Sequence, residues 1–387
     1  MRRVARRLRN FAIAVAIAAA AFFALETFYG DVFTVRTPSM EPTIDGSTGE
    51  WVLVRFEDAS ALERFDLVVF REAELGDFVV KRVLGLPGED VRIVGGDVLV
   101  DGKRLPPTDR WPVIVPVFDD RLLPVEDWFH LGSAGAWSKD GDGWLLDATD
   151  VVEGSRAGTM SFHKDVGSGY LRRDGTRVPD VAQANDVVLD ARVEGIEGPG
   201  HVLLEVLEAG DEFQLRVART EGGYALELHR LPIEPGSNAP PVAEATVERA
   251  EGAAFDLELS NVDNRVRVRV DGELVVDWTY DENRDYGAPL PPGRRSIGPR
   301  AVLGGVGVKA RFSHVRVSRD LYYLTESLYG EFGTRSDLRL GPSEYFVLGD
   351  NSADSVDGRR FGPIDRTRVV GEAIAVVWPF RRVRSLE

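Results

Sequence analysis

Two-residue turns cut this chain into short apolar runs. Gly95-Gly96, Asp101-Gly102 and Asp271-Gly272 each stand between β-branched segments, the pattern of tight hairpins. Strand-like runs occupy 31–36, 50–56, 66–71, 77–83, 91–94 and 97–100. From 128 to 320 they recur at 186–193, 202–207, 212–217, 224–231, 255–259, 266–270, 274–278, 305–311 and 315–318, with no helical period among them. Such punctuation predicts a mostly β protein: a compact antiparallel block, then a β-sandwich or jelly roll.

One segment departs from this pattern. Residues 2–9 carry five arginines and no acid, and 11–25 carry no charge at all. A helix over 11–29 would be about 28 Å long, close to the ~30 Å hydrocarbon core of a bilayer. Arginines flanking such a span stay cytoplasmic, which sends everything after residue 30 outward. A cleavable signal peptide is the rival reading, but Phe22, Phe23, Phe28 and Tyr29 are bulky where cleavage wants small residues. The expectation is a single-pass anchor over 1–30 with an external body.

Composition narrows the chemistry. With 63 acidic against 47 basic residues the formal charge is −16, which disfavours a nucleic-acid binder. There is no cysteine, so thiol nucleophiles and disulfides are excluded. The five histidines, from His130 to His314, show no metal-ligand spacing and sit far from both ends of the chain. No P-loop or GxGxxG occurs, so neither a metal nor another cofactor is called for. Of the basic residues 42 are arginine and only five are lysine, so each lysine invites a question.

Lys81 answers it best. It lies within the apolar run Val79-Val80-Lys81-Arg82-Val83, where alternation sends Lys81 and Arg82 to opposite faces. An exposed edge-strand lysine is the plain reading. A lysine dried in an apolar pocket is the alternative: its pKa falls and the neutral amine can act as a base, which arginine cannot do. Forty-two residues earlier, Thr37-Pro38-Ser39-Met40-Glu41-Pro42-Thr43 holds a serine between prolines, locally no more than a turn residue. Near the other end, an apolar strand runs into Gly349-Asp350-Asn351-Ser352 and on through Ser355, Asp357 and Arg359, a dense polar loop.

Taken together, these three boxes and the apolar N-terminal segment resemble bacterial type I signal peptidase, the Ser/Lys membrane peptidase family, over about half of the chain. The resemblance implies a discontinuous β catalytic domain at 31–127 plus 321–387, with the sandwich inserted over 128–320. It implies Ser39 as nucleophile, Lys81 as general base and Thr37 as an oxyanion donor. Ser355 would orient the lysine, Asp357 and Arg359 would form a supporting ion pair, and Asp350 would pair with Arg82. With no histidine in these blocks, a Ser/His pair is nearly excluded, so elimination favours the same dyad. Ser352 and Gly358 depart from the family pattern without touching the dyad. Exported preproteins, cut after small residues on the outer side of the bacterial cytoplasmic membrane, would be the substrates.

Other readings stay open. The same dyad serves self-cleaving repressors, against which the anchor and the lack of a DNA-binding head argue, and specialised processing peptidases with few clients. A non-enzymatic β-sandwich on a peptidase scaffold is a third. The segment 128–320 has the texture of concanavalin-A/laminin-G-like jelly rolls but carries no site motif. Its tryptophans could line a glycan groove, but core packing is the commoner use of a tryptophan, and a spacing or protein-docking role for the segment fits better.

Overall fold

The computed structural model of the protein describes residue 13 and residues 30–56, 62–72, 76–105, 108, 110–111, 113–132, 135–164, 166–184, 186–208, 211–231, 240–250, 252–280, 300–326 and 328–386. The anchor expected over 11–29 therefore lies outside the described residues, Ile13 apart. Among the described residues no helix is long and apolar enough to cross a membrane. The chain divides into two compact units, residues 1–111 with 323–387, and residues 112–322.

The first unit is built on an eight-stranded antiparallel sheet. Its strands are β1 (Gly30–Thr34), β2 (Trp51–Arg55), β3 (Leu67–Arg71), β4 (Phe78–Gly85), β5 (Glu344–Leu348), β6 (Ile364–Asp365), β7 (Val369–Trp378) and β8 (Arg384–Ser385). The order is β1-β2-β7-β3-β4-β5-β6, with β8 paired to β7. Strands from both ends of the unit thus interleave, which is how a box near residue 350 reaches one near residue 80. β3 is flanked on both sides, and Leu67, Val68, Val69 and Phe70 are all buried. Two apolar clusters fill the unit around β4, which gives Val80 to one and Val83 to the other. The Gly95-Gly96 turn forms as expected, both glycines at positive φ between Asp90–Val94 and Asp97–Val100.

The second unit is a sandwich of an eight-stranded and a seven-stranded antiparallel sheet. One continuous apolar cluster runs through it, including Phe118, Phe162, Phe213, Phe255 and Phe312. Its boundary differs from the sequence reading, which gave residues 112–127 to the first block. Val115–Asp119 pairs with Lys309–Arg319 and sends Val117 and Phe118 into the sandwich core, so this stretch belongs to the second unit. The proline-rich stretch 106–112 marks a break there in the sequence, but not which unit the strand after it joins. The closing strands differ too: the reversal falls after Val306, not after Arg311, so Arg300–Val306 and Lys309–Arg319 replace the runs expected at 305–311 and 315–318.

Candidate active site

After β1 the chain enters a single 3-10 turn, Pro38–Met40, which carries Ser39. Proline at the first position has the φ such a turn needs. Met40 and Ile44 are fully buried and anchor the turn, with the Ile44 N–H donating to the Met40 carbonyl at 2.8 Å. Thr37 is the N-cap residue, yet its hydroxyl makes no capping bond and lies instead 3.2 Å from Ser39 Oγ. Gly46 packs beneath so closely that a Cβ there would sit 1.8 Å from the Thr37 carbonyl oxygen. Any other residue would push the turn away.

Lys81 sits midway along β4, opposite Val68 on β3. On the other side of β4, pairing with β5 begins only at Arg82, where Leu348 is the last partner before the polar loop. Lys81 therefore stands where the sheet opens. Its amine is buried and donates to Ser39 Oγ at 2.7 Å and to the Val80 carbonyl at 3.0 Å. Burial pushes the Lys81 amine down to about 8; Asp357 and Asp350 pull it back up, while the Arg359 cation adds to the fall. An amine that is substantially neutral near pH 8 can accept the proton of the hydroxyl it touches.

Two buried ion pairs frame this contact. The Arg82 guanidinium forks onto Asp350, Nε to Oδ1 at 2.9 Å and Nη2 to Oδ2 at 2.6 Å, and Nη1 donates to the Phe65 carbonyl at 3.0 Å. Thr43 Oγ1 donates to the same carboxylate, linking the loop after Ser39 to the pair. Arg359 forks onto Asp357 at 2.9 and 2.8 Å with both side chains fully buried, and Asp357 also accepts the Gly349 N–H at 3.0 Å. Ser352 is bound into this network: its hydroxyl accepts from Arg359 at 2.6 Å and from the Leu324 N–H at 2.8 Å. The departure from the family pattern at 352 therefore leaves the loop well tied.

Ser39, Lys81, Thr37, Asp350, Arg82, Asp357 and Arg359 thus come together from three separate stretches of chain. Ser355 does not stand as expected. Its hydroxyl is buried with no hydrogen-bond partner among the described residues, where the sequence reading had it bonded to Lys81. It packs instead against Gly349, at which a Cβ would lie 2.2 Å from Ser355 Oγ and 2.5 Å from the Ser39 carbonyl oxygen. Glycine at 349 is what lets the loop close on the serine turn.

The sequence reading missed Asn351. Its side-chain amide donates to the Pro38 carbonyl and its backbone N–H to the Ser39 carbonyl, both at 3.1 Å, so one residue holds both sides of Ser39. It stood inside the Gly349-Asp350-Asn351 run, but nothing local says which partner an asparagine takes. Tyr323, buried close to both ion pairs, was missed too; burial raises its hydroxyl pKa well above the usual value, so it stays neutral there.

The signal peptidase, peptidase S26 family model matches residues 8–141 and 309–378, just over half of the chain. The protein belongs to that family. A probable signal peptidase I-2 of Synechocystis is 34% identical over 120 residues, covering 27% of this chain and 53% of that protein. Signal peptidase IB of Staphylococcus aureus is 33% identical over 101 residues, 26% of this chain and 51% of the relative. The chain spans about half the length of the relatives it matches. Among solved structures, a carbohydrate binding module of Bacillus subtilis aligns with 48% of this chain and 91% of its own at 13% identity and a TM-score of 0.28, too distant to bear on function.

Proposed function

We propose that the protein is a membrane-anchored serine endopeptidase that removes signal peptides from exported preproteins through a Ser39/Lys81 dyad. The observation that carries this is the 2.7 Å contact between a buried lysine amine and a serine hydroxyl. Neutral Lys81 takes the Ser39 proton as Oγ attacks the scissile carbonyl. Charge then gathers on the carbonyl oxygen, where the Thr37 hydroxyl and the Ser39 backbone N–H serve as donors. The tetrahedral intermediate collapses, the Lys81 ammonium gives its proton to the leaving amine, and an acyl-enzyme on Ser39 remains. Lys81, neutral again, draws a proton from water, and the resulting attack frees Ser39.

The open edge of β4 before Arg82 supports an extended substrate. Among the described residues Phe78–Lys81 pairs only with β3, so a peptide strand can add there by main-chain hydrogen bonds. The apolar segment after the N-terminal arginines would hold the site at the outer face of the cytoplasmic membrane. The test is cleavage of a model preprotein, in detergent, by wild type, Ser39→Ala, Lys81→Ala and Lys81→Arg. Wild type alone is expected to cut, after an Ala-x-Ala motif, with a rate that rises through pH 8 as Lys81 loses its proton. Equal cleavage by Lys81→Arg would remove the dyad, since arginine keeps its charge.

A further inference from the structure

On the side of the serine turn away from Asn351, a different set of charges holds the loop that follows. Glu50 is fully buried, and its carboxylate accepts from Arg384 Nη1 at 3.1 Å, Arg384 Nη2 at 2.8 Å and the Asp45 N–H at 2.9 Å. Arg384 Nη2 also donates to the Thr43 carbonyl. Arg382 donates to Thr48 Oγ1 at 2.8 Å and to the Asp45 carboxylate, and lies 3.6 Å from Glu50. These arginines are themselves fixed, because β8 pairs with β7 and the Leu386 N–H donates to the Ile374 carbonyl at 2.9 Å. Residues 43 to 50 are thus tied to Arg382 and β8 at several points, of which only the Thr43 carbonyl lies within a sequence box.

We infer that Arg384 and Glu50 are positioning residues that hold loop 43–50 down and so keep Ser39 seated on the Lys81 amine. The inference rests on the dyad reading above. Removing Arg384 leaves the fully buried Glu50 carboxylate with only Arg382, 3.6 Å away, to balance it, and the cheapest relief is for its segment to move toward water; removing Glu50 frees the partly exposed Arg384 from the loop. Here that segment is the continuation of the serine turn. A lifted turn lengthens the Oγ–Nζ contact and lets water reach Lys81. Of the charges facing Lys81 from the polar loop, Asp357 and Arg359 are untouched by changes at 50 or 384, while Asp350 loses the Thr43 hydroxyl if the loop lifts. Loss of dryness and a less satisfied Asp350 carboxylate act in the same direction, and the Lys81 pKa climbs toward that of free lysine.

The experiment uses the full chain in detergent: wild type, Arg384→Gln, Glu50→Gln and Arg384→Lys. Competitive acetylation across pH, read by mass spectrometry, gives the titration midpoint of Lys81 without any catalysis, and only five lysines must be resolved. The midpoint is expected to rise by about one unit in Arg384→Gln and Glu50→Gln. Preprotein cleavage at neutral pH should fall roughly tenfold and recover at alkaline pH, with KM unchanged and Arg384→Lys partly restored. Folded variants whose Lys81 midpoint matches wild type overturn the inference, however much activity they lose, because a purely structural weakening lowers amplitude without moving the midpoint. If these variants do not fold, Arg382→Gln, which leaves the Glu50–Arg384 pair intact, should move the midpoint by about half as much; no movement there overturns it too. A wild type that cuts no preprotein refutes the peptidase reading, while the acetylation result still decides the positioning one.

Discussion

In the unit that carries Ser39, the pairs Arg82–Asp350 and Asp357–Arg359 are shut away from water, with side chains at most 5% exposed. In the unit of residues 112–322, pairs such as Arg265–Asp277 and Lys309–Asp147 stand on the outside of their strands, with side chains about 30% and nearly 50% exposed. The sandwich holds itself with one continuous apolar cluster and leaves much of its charge to solvent. The first unit splits its apolar interior and threads ion pairs through it. Buried ion pairs are poor stabilisers, since apolar side chains of equal volume often do as well or better. Their value here is geometric: each guanidinium fork fixes the direction of a loop that touches the Ser39–Lys81 contact.

That contrast can be broken. Arg359→Ala should cost about 3–5 kcal/mol, because it strands Asp357 in a dry site; a loss under about 1 kcal/mol in a denaturant melt would show the pair to be an ornament. Thr37→Val tests the proposed oxyanion donor, and kcat should drop about 10²-fold with KM steady. A variant that loses KM alone would reassign Thr37 to substrate binding. Lys81 links the site to stability. Its folded pKa, about 8, lies below the ~10.4 of the unfolded chain, so between these values the unfolded state binds more protons. Stability should therefore rise with pH across roughly 8 to 10, and Lys81→Met should flatten that slope in urea titrations. Smallest of all, Arg265→Ala on the sandwich surface should change stability by less than about 1 kcal/mol.

Much of the site could be read in advance because its residues are chemically improbable where they stand. A lysine in a valine-rich strand, in a chain that otherwise writes its cations as arginine, marks itself. The serine did not; only boxes far along the chain gave it meaning. Asn351, Glu50 and Arg384 were silent, because a hydrogen bond spanning some 300 residues leaves no local periodicity. Ser355 shows the opposite error: its place beside the site was right, but a hydroxyl's partner depends on a rotamer, and here it has none among the described residues. Prolines at 106, 107 and 112 punctuate the join, but a strand's alternation states which side is buried, never which sheet it enters, so Val115–Asp119 could not be given to its unit.

By itself, the sequence determined that this chain would be built from short antiparallel strands, through turn residues that only certain backbone angles accommodate, and which side chains could do acid–base chemistry without histidine or cysteine. Only the tertiary structure decided that Lys81 would lose its water and meet Ser39. Dryness is not a property of a lysine but of everything packed around it. Here that is the serine turn set against its amine and a polar loop, some 270 residues further along the chain, held by two buried ion pairs.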